Sequence, residues 1–194
     1  DELISAALTN GKCEIILGSK KGYAVRFNEE GVRSIGRNGS GVRGINLRDE
    51  DELIGMVCAD TTSEIKEDIM VVSENGYGKR SALEDYRVTS RGGKGVISLN
   101  VTEKTGNMIA IDSVTDENDL MIINKSGLTI RIGLNTLRTL GRNTQGVSLI
   151  KLKNGDAIAA VSKIDHEEEE EEETTENIED TTEKKSDESE NNNE

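Results

Sequence analysis

Gly76-Tyr77-Gly78-Lys79-Arg80 opens a cassette in which Arg87, Arg91 and Gly95-Val96 follow after intervals of six, three and three residues. The same cassette stands, without insertion, at Gly22-Arg26-Arg33-Arg37-Gly41-Val42 and at Gly127-Arg131-Arg138-Arg142-Gly146-Val147. Its opening glycines are 54 and then 51 residues apart, so the chain is built from repeats of about fifty residues. Nine arginines hold this register while the residues between them change. A charge pattern that recurs with each structural unit points to a long, regularly charged ligand, and nucleic acid answers that description.

Around each cassette the residues read as short strands. First strands are expected at 3–8, 53–58 and 108–114, with one more at 157–164; second strands fall at 14–18, 69–73 and 120–124. A tight turn closes each time on glycine (Gly22, Gly76 or Gly127), because its last position needs a positive φ. The third strand alternates: Tyr23, Val25 and Phe27 face one way, Ala24 and Arg26 the other, so the first arginine of each triplet projects from a polar face. Fourth strands are expected at 42–47, 96–101 and 147–152. Four strands per unit with no helical periodicity predict an all-β fold of propeller-like antiparallel blades, in units of about 1–50, 51–106 and 107–164. The extra strand at 157–164 either completes the last blade or closes a ring against the first.

The formal charge of −14 resides in the last thirty residues. Residues 1–164 carry 22 basic and 22 acidic side chains, whereas 165–194 carry 2 and 16. That tail, with its 167–173 glutamate run, has too little apolar surface to fold and is expected to be disordered. Phe27, Tyr23, Tyr77 and Tyr86 are the whole aromatic complement, so the core falls to aliphatic side chains. Cys13 and Cys58 lie far apart in apolar runs and read as reduced, packed thiols of a cytosolic protein. No apolar run approaches the ~20 residues of a membrane span. The chain opens on Asp1 within a repeat and reads as a fragment.

Three stretches carry a family resemblance: Gly141-Arg142-Asn143-Thr144-Gln145-Gly146-Val147, Asn75-Gly76-Tyr77-Gly78-Lys79-Arg80 and Gly41-Val42-Arg43-Gly44-Ile45. With the acidic tail, they resemble the C-terminal domain of DNA gyrase A. The resemblance implies a β-pinwheel of six blades with duplex DNA wrapped around its outer rim, of which this chain holds the last three. It implies a bacterial, chromosome-associated partner of the rest of gyrase A and of the ATPase subunit in a heterotetramer. ATP, Mg and the DNA-cleaving tyrosine would then lie outside this chain, which needs no cofactor of its own. The corresponding domain of topoisomerase IV is the related alternative. Arg91-Gly92-Gly93-Lys94-Gly95 matches the last five positions of the family's Gln-Arg-Arg-Gly-Gly-Lys-Gly box, but at a later repeat than the box itself.

Arginine suits phosphate because its planar fork donates two parallel hydrogen bonds. The expected contacts are Arg26, Arg33 and Arg37, then Arg80, Arg87 and Arg91, then Arg131, Arg138 and Arg142, with Arg43, Lys79 and Lys94 thickening the belt. Too few amide and aromatic side chains accompany them to read bases or stack single strands, so duplex backbone is the expected ligand. Tyr23 and Tyr77 read as packed rings, and for Tyr86, beside Arg87, a DNA contact is the lesser of its readings. The 49–52 carboxylates read as solvated loop. His166 is the single histidine and sits by the glutamate run, which leaves no triad or zinc site in the folded body. A propeller that binds protein through its loops is the rival from another class. The tail reads as a solubilising segment or as a tethered competitor for the rim.

Overall fold

The computed structural model describes residues 2–153 and 155–165. The disorder expected of the tail therefore falls, past Asp165, outside the described residues. Among the described residues eleven strands run in order: β1 (Cys13–Ser19), β2 (Tyr23–Asn28), β3 (Leu53–Asp60), β4 (Asp68–Ser73), β5 (Tyr77–Ala82), β6 (Val96–Ile97), β7 (Met108–Val114), β8 (Asp119–Asn124), β9 (Thr129–Gly133), β10 (Val147–Ser148) and β11 (Ile158–Ile164). They form three antiparallel sheets, ordered β3-β1-β2-β6, β7-β4-β5-β10 and β11-β8-β9. A single 3-10 turn follows β2, β5 and β9 in each case.

Each sheet is built on a local hairpin. The backbone carbonyls of Ser19, Ser73 and Asn124 accept from the amides of Gly22, Gly76 and Gly127 at 2.9, 3.1 and 3.0 Å, and these glycines have φ of 81°, 79° and 88°. The turns are as the sequence predicts, because a residue with a Cβ resists that φ. Asp51 departs from its expected solvation: its carboxylate accepts from Ser19 Oγ at 2.8 Å and from the Lys21 amide at 2.9 Å, holding the first turn.

The remaining strands of a sheet come from the following repeat. β3 pairs with β1 and β6 pairs with β2, although both belong to the second repeat; β7 and β10 repeat this on the second hairpin, and β11 completes the third sheet on β8. That rule explains two expected strands that do not form. Residues 3–8 and 42–47 are the counterparts of β3 and β6, and among the described residues no earlier hairpin is present for them to join. Leu3 and Leu8 are accordingly exposed. The fourth strands shrink to two residues each, Val96–Ile97 and Val147–Ser148.

The sheets stack face to face. Ile16, Ala24 and Val57 of the first sheet pack on Ile69, Val71 and Met108 of the second, with Tyr86 and Leu99 completing the layer. Met70 and Val72 on the opposite face of the second sheet meet Leu120, Ile122 and Leu134. Each such fully buried aliphatic contributes about 1.5–3 kcal/mol. β3 lies along β7, whereas β2 and β5 diverge, so the stack fans open toward the β6 and β10 edges. β2 and β5, which open the first two cassettes, lie on that side of their sheets. Cys13 is buried, Cys58 half-buried, and both are unbridged.

Candidate nucleic-acid interface

The three arginines of a cassette do three different things. The first sits on the third strand of its hairpin, on a face expected to be polar that is in fact the joint between blades. Arg26 donates from Nε to Glu14 Oε2 at 2.6 Å and from Nη1 to the carbonyls of Leu83 and Tyr86 at 2.6 and 2.9 Å. Those carbonyls belong to the 3-10 turn of the next blade and its cap. Arg80 repeats the arrangement, pairing with Asp68 at 3.3 Å and with Asp116, and donating to Leu134 O at 3.2 Å. Arg26 and Arg80 side chains are each 11% exposed, which removes them from a docking surface. Arg131 pairs with Asp119 and remains half exposed.

The third arginine reaches backward. Arg91 donates to Gly31 O at 2.8 Å and Arg43 O at 3.2 Å; Arg142 donates to Asp85 O at 3.0 Å and Ile97 O at 2.9 Å. Arg37, the third arginine of the first cassette, is exposed and has no protein partner among the described residues.

The middle arginine is left bare. Arg33, Arg87 and Arg138 are exposed and bond to no protein group among the described residues, and the same holds for the side chains of Arg43 and Lys94. Arg87 and Lys94 come together with Ser90 on the wall of a groove of about 250 Å³ that runs under the second cassette.

Lys79 is not part of a surface belt. It is 1% exposed, on the face of β5 that meets the first sheet, and its ammonium donates to the carbonyls of Gly141, at 2.8 Å, and Arg142. Burial first, and then the Arg142 guanidinium, bring its pKa down to about 8, against the pull of Asp85. Tyr86 is likewise withdrawn from any ligand. Its ring is fully buried and its hydroxyl meets Ser98 Oγ at 2.8 Å, while desolvation pushes its pKa up to about 12. Ser81 Oγ faces the same phenol without a well-formed hydrogen bond. The rings of Tyr23 and Tyr77 carry cations over their faces, Arg48 at 3.2 Å and Lys104 at 5.0 Å from the centroids. Neither pairing is legible in the sequence.

One signal does mark the first arginine of each cassette as a bracing residue. An acid stands twelve residues before each first arginine: Glu14 before Arg26, Asp68 before Arg80 and Asp119 before Arg131. Each acid pairs across the hairpin with the residue two places beyond its arginine, so acid and arginine are diagonal neighbours on one face. Arg33, Arg87 and Arg138 lie beyond the hairpins, where no strand partner brings those acids beside them. Among the described residues no group of three His, Cys, Asp or Glu side chains could hold a metal, and no helix is long and apolar enough to cross a membrane.

The family model of the DNA gyrase C-terminal domain, beta-propeller, matches residues 14–60, 67–115 and 118–165, one match per hairpin and its added inner strand. The chain belongs to the DNA gyrase C-terminal domain family. Its relatives include the DNA gyrase A proteins of Staphylococcus epidermidis and of Staphylococcus aureus, each 41% identical over 167 residues, which is 86% of this chain. The match spans 18% and 19% of those proteins, so the chain corresponds to about a fifth of their length. A solved DNA gyrase A C-terminal domain superposes with a TM-score of 0.70 at 27% identity, covering 78% of this chain and 50% of that one. The C-terminal domain of DNA topoisomerase IV superposes with a TM-score of 0.75 at 22% identity, over 82% of this chain and 49% of that one, a likeness of fold. Gyrase, rather than topoisomerase IV, is therefore where the chain's sequence relationship lies.

Proposed function

We propose that this chain binds duplex DNA by its backbone along the open edge of the blade stack and bends the duplex around it. The observation that carries this reading is that Arg33, Arg37, Arg43, Arg87, Lys94 and Arg138, all within the cassettes or the segments that link them, are exposed with side chains that have no protein partner among the described residues. Three of them are the middle arginines of successive cassettes, one per repeat, which suits an evenly charged polymer. Arg26, Arg80, Arg91 and Arg142 serve the same function indirectly by tying each blade to the next, and Arg131 stands at the same position in the last blade. Binding by phosphate contact selects sequences through ease of bending rather than through base edges.

Within a holoenzyme the chain acts as the wrapping module of gyrase A, which joins the ATPase subunit in a heterotetramer. Wrapping presents a neighbouring duplex segment to the cleavage gate in a defined crossing, and ATP-driven passage then introduces negative supercoils. ATP and Mg act elsewhere in that cytoplasmic assembly. Residues 1–164 are the wrapping body, and the acidic residues 165–194 compete for its rim as a tethered polyanion. Ligation of a nicked circular DNA in the presence of the chain tests the wrapping step. A shifted topoisomer distribution supports it. An unshifted distribution with duplex still bound refutes wrapping, and no duplex binding at low salt favours the protein-binding propeller.

A further inference from the structure

We propose that Lys79 builds a phosphate-binding site at residues 141–143 by holding two consecutive peptide groups with their N–H bonds turned outward. The inference rests on the duplex-binding reading above and adds to it a site made of backbone rather than of side-chain charge.

The argument begins with the internal repeat. The counterparts of Lys79 in the first and third cassettes are Val25 and Ile130. A buried cation thus stands where the sister units have an aliphatic side chain. Its ammonium donates to the carbonyls of Gly141 and Arg142, which lie in the linking segment of the following blade. A peptide group is planar and trans, so its C=O and N–H point in opposite directions. With both carbonyls drawn inward to Lys79, the amides of Arg142 and Asn143 point away from the blade. Neither amide has an acceptor among the described residues, and Gly141 and Asn143 are exposed. Two adjacent N–H groups with their dipoles aligned outward form a concavity that suits an anion.

The second cassette provides the contrast. Gly92 is the counterpart of Asn143, and its amide is consumed by the carbonyl of Gly44 at 2.6 Å. Val25, beneath that segment, offers no donor to turn the carbonyls inward. The amides of Arg37 and Asn38 in the first linking segment also have no acceptor among the described residues, but there no buried cation among those residues holds the carbonyls; it is in the third segment that an ammonium, that of Lys79, holds the carbonyls behind the amides. Arg142 itself is occupied with Asp85 O and Ile97 O, so its guanidinium anchors the segment while its amide stays available.

The test follows the amide resonances of the full chain during titration with a mixed-sequence DNA duplex. In the wild type, the Arg142 and Asn143 amides shift. In Lys79→Met those shifts are lost, the spectrum stays folded, and duplex affinity falls roughly tenfold, the value of one charge-assisted contact. Should Lys79→Met fail to fold, Lys79→Ile copies the third cassette and carries the same expectation. Duplex binding with both amides unmoved, or unchanged affinity in the folded variant, overturns the site and leaves the exposed-arginine reading intact. A wild type that binds no duplex overturns both.

Discussion

Arg80 and Arg87 stand seven residues apart in one cassette and have opposite roles. Arg80 is buried against Asp68 and a carbonyl of the next blade; Arg87 faces solvent with no partner among the described residues. Removing a buried partner leaves the other charge uncompensated, so Arg80→Ala should cost about 3–5 kcal/mol of stability. Arg87→Ala should stay within about 0.5 kcal/mol and weaken every duplex sequence alike. Urea unfolding of the two variants checks the first pair of values, and equal losses would mean that the two arginines are not distinguished as described. Lys79 supplies a second residue-scale test. Its pKa in the fold, about 8, lies below its ordinary 10.5, so the unfolded chain holds the proton more tightly. The cost of the buried charge is complete below about pH 8 and is relieved between about 8 and 10.5, so stability rises with pH across that window. The melting temperature of the wild type should therefore gain on that of Lys79→Met between about pH 7 and 10. A constant difference would show an ammonium that is not desolvated.

Among the elements, the closing Gly-Val of the cassette shows why register is kept. A Cβ on Gly95 would lie 2.5 Å from Ala24 O, and one on Gly146 would lie 2.4 Å from Gly78 O, because β6 and β10 are pressed against the previous hairpin. Gly41 has a similar φ but nothing near it. Gly146→Ala should thus lower the melting temperature well beyond Gly41→Ala, which carries only the backbone strain of about 1 kcal/mol. Similar losses in thermal denaturation would argue against the close pairing of β10. The hairpins and their turn glycines are legible in the sequence because alternation and positive φ are local properties. The partners of β3, β6, β7 and β10 are not, since Val96 meets Ala24 across a whole repeat and nothing in a two-residue strand names its neighbour. For the same reason nine arginines in register read as one set of ligands. Spacing alone cannot tell a side chain that must meet the next blade from one that must meet a ligand.

Among the described residues three sheets stack so that the second has a sheet on each face, while the outer face of the first is buried as a cluster of Cys13, Ile15, Leu17, Val25 and Phe27. β4 should therefore show the slowest amide exchange in the chain, and the exposed segment 3–8 the fastest. Uniform protection would mean that each blade is self-sufficient. The stack also explains how a neutral body can bind a polyanion: its bracing arginines are neutralised by acids or carbonyls inside the joints, while the middle arginines of the cassettes are left exposed and without a protein partner among the described residues. The most direct test of that division is the salt dependence of duplex binding. With about six phosphates neutralised, log K should fall against log salt with a slope of about −5. Replacing Arg33, Arg87 and Arg138 together by alanine should make the slope shallower by about 3 without unfolding the chain. An unchanged slope in the folded triple variant would contradict the account, because the bare middle arginines would then not be the groups that hold DNA.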